Sequence, residues 1–297
     1  MTNSKKKALI FGADGLLGGD FVRILNESDE YEVVASGSGD VDITNAESVS
    51  SKIKEIWPDV VINCSGKINV DWCEKNKKEA YAVNAGGPLN ITCALKELGM
   101  QKTVFVHIST SDVFGGEKDF FTEGDIPNPV NVYGASKYEG ERNILKEFDG
   151  SDFRYYILRL GWLYGDERDT FVDIVAKTLI EEKEMEIISD QYNIPVWTRD
   201  VVDVVFYLTI SNEDYESGIY HVSGVVLGNE EKVSKFDISL EIAGILNLDS
   251  SKLKKSSKKG IFKIPRPDSA ILMNLKLKEV PGWRESLKEY IIPKYGK

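Results

Sequence analysis

The sequence predicts an α/β fold built on a doubly wound parallel sheet, and three observations carry that expectation. Short, almost uninterrupted apolar runs alternate with amphipathic stretches through the first half of the chain. Such runs suit strands covered by helices on both faces, not strands with one wet side. The first run also leads straight into a glycine-rich turn and then a helical apolar pattern.

Taken in order, residues 7–11 (Lys-Ala-Leu-Ile-Phe) form the first expected strand. Gly12-Ala-Asp-Gly15-Leu-Leu-Gly18 follows, and Leu16, Leu17, Phe21, Ile24 and Leu25 then recur at helical spacing. A strand is expected at 32–35 and a helix at 45–56, ended by Trp57-Pro58. Next come a strand at 60–64, one long helix at 75–98, a strand at 103–108, a helix at 133–148 and a strand at 155–160. Beyond Gly165 the alternation weakens. A helix at 171–183, a short strand at 185–188 and a helix at 198–210 are expected, then helices at 237–246 and 283–292 on either side of lysine-rich 250–260. The expected division is a dinucleotide-binding domain over 1–165, with 196–222 packing back on it, and a smaller lobe made mainly from 166–297.

The 297 residues are 42% hydrophobic and 29% charged, the profile of a soluble globular protein large enough for a sizeable core. Lys+Arg number 37 against 48 Asp+Glu, a net charge of -11. That balance argues against nucleic acid or an anionic membrane as partner. A small anionic substrate needs only a local positive cluster. The apolar run at the N-terminus stops at Gly12, too short for a signal-peptide core, and no stretch approaches the roughly 18 apolar residues of a membrane span. Cys64, Cys73 and Cys93 lack metal-ligand spacing and are odd in number, which argues against a disulfide framework or zinc site. No metal is expected, and a cytoplasmic location is. The sequence is silent on oligomeric state, and a homodimer stays open.

Three chemical features stand out. Gly12 suits the tight turn of a dinucleotide loop, Gly15 lets backbone amides approach a pyrophosphate, and Gly18 lets the helix pack closely on the strand. The helix N-terminus then offers free amides and a positive dipole end to phosphates. Tyr133 and Lys137 lie one helical turn apart and so share a helix face. An ammonium beside a phenol favours the phenolate and draws its pKa down from about 10. Alone, that pair is also what a surface helix carries for solubility. Thr110, just past the strand at 103–108, would place a hydroxyl near the pair, where it could bond a substrate carbonyl oxygen. Ligands of open parallel sheets bind beyond the carboxyl ends of the strands, where these residues fall.

With those residues in view, the chain resembles the extended short-chain dehydrogenases/reductases, and among them the dTDP-4-dehydrorhamnose reductase family. The likeness runs over nearly the whole length. It includes Asp42-Ile-Thr, the Pro58 to Cys64 run, Val70-Asp71, Val83-Asn84-Ala85, Ser109-Thr110, Val113-Phe114, the Pro127 to Gly134 run and Lys137. It continues through Gly140-Glu141, Arg159, Trp162, Asp190-Gln191, Pro195, Arg266-Pro267, Ser269 and Leu272.

The resemblance implies a Rossmann-type domain and reduction of the 4-keto group of a nucleotide-activated deoxysugar by a reduced nicotinamide. Ala35-Ser-Gly-Ser-Gly after the second strand offers neither the acidic residue of an NAD site nor the arginine of an NADP site, and NADPH is expected, with NADH as the alternative. It implies that Tyr133 protonates the developing alkoxide, that Lys137 lowers the tyrosine pKa and holds the nicotinamide ribose, and that Thr110 orients the carbonyl. Gly12, Asp14, Gly15, Leu16, Leu17 and Gly18 would cradle the cofactor. Asp42 and Ile43 would border its adenine, while Cys64, Ser65 and Gly66 would line its channel. Ser111, Asp112, Trp162 and Arg266 would face the nucleotide sugar, and Asn84 would support the backbone of the site.

The chain departs from the family where the sugar lies. The usual Ser-Thr-Asp-Tyr-Val-Phe-Asp-Gly reads Ser109-Thr110-Ser111-Asp112-Val113-Phe114-Gly115-Gly116 here. Asn-Phe-Val reads Thr170-Phe171-Val172, and Pro-Thr reads Pro195-Val196. Two other readings follow from the same superfamily. A nucleotide-sugar epimerase or dehydratase needs an added acid or base near Thr110, for which Asp112 is the candidate. A regulatory, NADP-binding subunit like that of methionine adenosyltransferase also keeps the tyrosine and lysine.

Overall fold

The computed structural model describes residues 5–210, 215–226, 228–229, 231–278 and 280–296. Residues 1–4 of the basic N-terminus and 211–214, inside the segment 196–222, lie outside the described residues.

Six parallel strands form the central sheet. Their spatial order is Gly218–Val222, Tyr155–Leu160, Val104–Thr110, Val60–Asn63, Lys6–Phe11 and Tyr31–Ser36. Lys6–Phe11 pairs with Tyr31–Ser36 on one side and Val60–Asn63 on the other, so the chain reverses its winding there. Such a switch point opens a crevice beyond the strand ends, where ligands of open sheets bind. The strand at Gly218–Val222, which the sequence reading did not separate from its surroundings, completes the edge beside Tyr155–Leu160.

Side-chain alternation along the strands divides the core between the two faces. Ala8, Ile10, Ile62, Val106 and Leu158 pack under Leu17, Phe21 and Leu25 of helix Leu16–Asn26 and under Val201 and Val205 of helix Thr198–Ile210. Leu9, Phe11, Val61, Phe105 and Ile157 face Val49, Ile53, Ile91, Leu95, Ile144 and Phe148 on the other side. A separate apolar cluster holds the second lobe together, with Val175, Leu179, Ile187, Ile242, Trp283 and Leu287 at its centre.

One expected helix is four. The stretch 75–98 spans the end of Val70–Lys75, then Lys77–Tyr81, a π-helical turn at Ala82–Gly86, and Gly87–Glu97. Asn76 leaves helical backbone at φ -122, ψ 54 and spends its side-chain amide on the Trp72 carbonyl at 2.8 Å. Pro88 has no N–H to return to the Asn84 carbonyl, so the α-helical ladder cannot run through this point. That carbonyl is instead met by Gly140, where a Cβ would collide with it, and helix Val132–Phe148 packs closely there. Helix Lys235–Leu246 starts two residues before the expected 237, because Ser234 and Asp237 form a capping box. The short strands Trp162–Tyr164, Pro195–Trp197, Leu253–Ser256, Phe120–Phe121 and Ile271–Leu272 are too brief to show a period in sequence.

Candidate active site

The glycine turn is stitched into the switch point. Gly12 adopts φ 76, and the amides of Gly12 and Ala13 donate to the Ser36 carbonyl at 2.9 and 3.2 Å. A Cβ on Gly12 would stand 2.7 Å from the Ser65 amide nitrogen, so no other residue fits between the first and third strands. A side chain on Gly18 would run into the Gly12 carbonyl. Helix Leu16–Asn26 begins at Gly15 with no side-chain cap and no acidic residue in its first turn. Its leading amides are therefore open to an anion, which fits the pyrophosphate of a dinucleotide.

From that turn a cleft of about 720 Å³ runs across the strand ends. Gly15, Leu16, Leu17 and Gly18 line one end, with Cys64, Ser65 and Gly66 beside them. Thr110, Ser111, Asp112, Tyr133 and Lys137 form the middle, and Trp162 and Arg266 the far wall. The structure thus brings most of the residues singled out in sequence to one cavity. Gly12 lies beneath it, while the side chains of Asp14, Asp42 and Ile43 stay off its walls. Asp42 accepts from the amide and hydroxyl of Thr44 at 2.9 and 2.7 Å, which holds its carboxyl below the usual range. Ile43 is buried against Gly87.

Tyr133 and Lys137 share one face at the start of helix Val132–Phe148, whose N-cap Asn131 accepts the Gly134 amide at 2.9 Å. Asn131 also donates to the Pro265 carbonyl at 3.1 Å, tying this helix to the loop that carries Arg266. Thr110 bonds the Tyr133 phenol, and its hydroxyl also accepts the Asp112 amide at 3.1 Å. Asn84 accepts the Lys67 amide at 2.8 Å and donates to the Lys67 carbonyl and Ser136 hydroxyl at 3.0 and 2.9 Å, so it braces backbone beside the cleft.

The electrostatics differ from the expectation in one respect. Burial raises the Tyr133 pKa, the neighbouring Asp112 adds to the rise, and the Thr110 hydrogen bond opposes it. The ammonium of Lys137 does not offset this, because it donates to the Ile108 carbonyl and faces His107 Nε2 at 3.5 Å. Burial brings Lys137 itself down to about 8, against the pull of Glu141 and Cys64. Asn63 Oδ1 accepts the Ser65 amide at 3.0 Å, so its Nδ2 donates to His107 Nδ1 at 3.2 Å. Beneath the site, Glu141 accepts from Arg159 at 3.0 and 2.6 Å and from Ser109 at 2.5 Å in full burial.

At the far end Asp112 is the unusual group. Its carboxylate accepts no hydrogen bond among the described residues, and burial raises its pKa to about 6 against Arg266 and Lys235. Ser111 is turned aside, accepting from Asn193 Nδ2 at 2.8 Å. Arg266 donates to Asp71 at 2.9 Å and to the Ile264 carbonyl at 3.0 Å, and its guanidinium lies over Phe262.

The cleft also holds residues that the sequence reading did not assign to it: Arg168, Gln191, Lys235 and Phe262. Lys235 sits over the Trp162 ring at 5.2 Å. The Ser234-Lys-Phe-Asp237 capping box was the available signal, since it places Lys235 in a first helical turn. Of the lysine-rich stretch, Lys254, Lys255 and Lys258 point elsewhere, to the Ser251 carbonyl, the Phe236 ring, and Asp268 respectively.

Fold and site together define a Rossmann-type oxidoreductase that works with a nicotinamide dinucleotide. The chain belongs to the family described as RmlD substrate binding domain, whose pattern matches residues 6–295. It is 31% identical to the spore coat polysaccharide biosynthesis protein SpsK of Bacillus subtilis over 96% of both chains. It is 32% identical to the dTDP-4-dehydrorhamnose reductase of Aggregatibacter actinomycetemcomitans, over 80% of this chain and 78% of that one. The beta subunit of methionine adenosyltransferase 2 from Xenopus tropicalis is 28% identical over 97% of this chain and 89% of its own. Among solved structures, dTDP-4-dehydrorhamnose reductase from Bacillus anthracis in complex with NADP superposes with a TM-score of 0.86. It is 28% identical and covers 98% of this chain and 100% of its own.

Proposed function

We propose that this protein reduces the 4-keto group of a nucleotide-activated deoxysugar with NADPH, as a dTDP-4-dehydrorhamnose reductase or a close relative. The observation that carries this reading is the single cleft joining the glycine turn to Thr110, Tyr133 and Lys137 and ending among Lys235, Arg168 and Arg266. The bound cofactor supplies a hydride.

Thr110 and Tyr133 converge on the carbonyl oxygen, and Tyr133 delivers its proton there as negative charge develops. A phenol pKa kept high by burial suits a donor that must stay protonated until that charge appears. Lys137, whose ammonium donates to the Ile108 carbonyl, meets the ribose hydroxyls on the cofactor side in this reading. The cationic far wall suits the diphosphate of the sugar nucleotide. Asp112 replaces the aromatic residue usual in the family and presents an acceptor to the sugar.

The test is absorbance of the reduced nicotinamide with purified protein, NADPH and dTDP-4-dehydro-6-deoxy-L-mannose. Substrate-dependent oxidation, slowed at least a hundredfold by Tyr133→Phe, is the expected result. A panel of 4-keto nucleotide sugars that leaves NADPH untouched would overturn the reading in favour of a regulatory role, which likeness to the methionine adenosyltransferase subunit supports.

A further inference from the structure

Beside the glycine turn, just off the walls of the cleft, charge stands in an unexpected place. In dinucleotide folds the adenosine lies over the ends of the first two strands. An acidic residue following the second strand reads a free ribose 2′-hydroxyl, and an arginine takes a 2′-phosphate. Here the second strand ends at Ser36, and Gly37-Ser-Gly follows with neither group.

A carboxylate reaches this spot from the glycine turn instead. Asp14 Oδ2 accepts from the Ser38 amide at 3.1 Å and from the Ser38 hydroxyl at 2.6 Å. A Cβ on Gly37 would stand 3.4 Å from Asp14 Cγ, so the carboxylate lies directly against the loop. The Ser38 donors keep Asp14 ionised, with Lys67 as the nearby cation. Across the same loop, Asp40 accepts the Gly37 amide at 2.9 Å. Residues 36–45 contain no lysine or arginine. Two carboxylates therefore flank the loop, and both Ser38 donors go to Oδ2 of Asp14, leaving its Oδ1 outside that clasp.

We propose that Asp14, clasped by Ser38, reads the 2′ position of the cofactor's adenosine ribose, accepting from a 2′-hydroxyl and opposing a 2′-phosphate. This rests on the reading of the cleft as a nicotinamide dinucleotide site.

Calorimetric titration of the whole protein with NAD+ and with NADP+ tests the proposal without turnover. Asp14→Ser and Asp14→Asn should each shift the NADP+/NAD+ affinity ratio toward NADP+ by roughly tenfold or more, the equivalent of about 1.4 kcal/mol. Asp14→Arg should shift it further. A ratio within twofold of wild type in the Ser and Asn variants would overturn the proposal, including the case where both affinities fall together because the loop has loosened. Wild-type protein that binds neither dinucleotide would instead remove the site reading on which the proposal rests.

Discussion

The two ends of the cleft are built differently. The proposed proton-transfer end comes from one strand and one helix: Thr110 closes Val104–Thr110, and Tyr133 and Lys137 lie in the first turns of Val132–Phe148. The far end, where the proposal places the sugar nucleotide, is assembled from segments far apart in sequence, with Asp112, Trp162, Lys235 and Arg266 drawn together by loops and short elements. Regular elements fix side chains by period and spacing, while loops fix them through contacts that only the folded chain supplies. The first end should therefore be intolerant of substitution in its chemistry, and the second adjustable in its affinity.

The largest effect should fall at the rigid end. Tyr133→Phe removes the hydroxyl that would supply the proton and should lower kcat by roughly 10²–10⁴, with an unchanged far-ultraviolet circular dichroism spectrum. An equal loss from Arg266→Met would erase the contrast between the two ends.

The support beneath that end should be nearly as costly to break. Glu141→Ala leaves the Arg159 guanidinium buried without its carboxylate, since Arg159 is only 1% exposed. Removing one partner of such a pair costs about 3–5 kcal/mol, to be read from denaturant unfolding. A loss below about 1 kcal/mol, the range of an exposed pair, would contradict the buried network.

At the adjustable end, Arg266→Met should raise KM for the sugar nucleotide by roughly 10–100-fold and leave kcat within a few-fold. Charge-assisted hydrogen bonds contribute about 1.5–3 kcal/mol. Steady-state kinetics with saturating cofactor measures it.

The smallest effect concerns Asp112, and its sign follows from the direction of its pKa. The folded carboxyl titrates at about 6, above its ordinary 3.8. Between those values the folded state binds more protons than the unfolded one, so stability falls as pH rises through this window. Asp112→Asn should thus be more stable than wild type above pH 6, and the gap should close toward pH 4. Thermal melts across that range measure the crossing. A gap independent of pH would mean that the carboxylate is not desolvated.

The same contrast explains what could be read from the sequence. The parallel sheet was legible because residues such as Val60, Val61 and Ile62 form an unbroken buried run, and the glycine turn because Gly12 and Gly18 sit where no Cβ fits. Thr110, Tyr133 and Lys137 were legible because each falls at a strand end or on one helical turn. The break in 75–98 was hidden because apolar period alone does not register Asn76 turning its side chain back on Trp72, nor the ladder lost at Pro88. Lys235 was hidden because its place in the cleft depends on a distant helix packing beside Trp162. The orientation of Lys137 toward Ile108 is a tertiary fact that one-turn spacing does not contain.

The most direct test of hydride delivery in this cleft is isotopic. NADPH carrying deuterium on the transferring face of nicotinamide carbon 4 is incubated with protein and the 4-keto nucleotide sugar. The product is then examined by mass spectrometry and proton magnetic resonance. One deuterium at sugar carbon 4, formed at least a hundredfold more slowly with Tyr133→Phe, is the predicted result. A nucleotide that binds tightly while the sugar is recovered unreduced and unlabelled would contradict it.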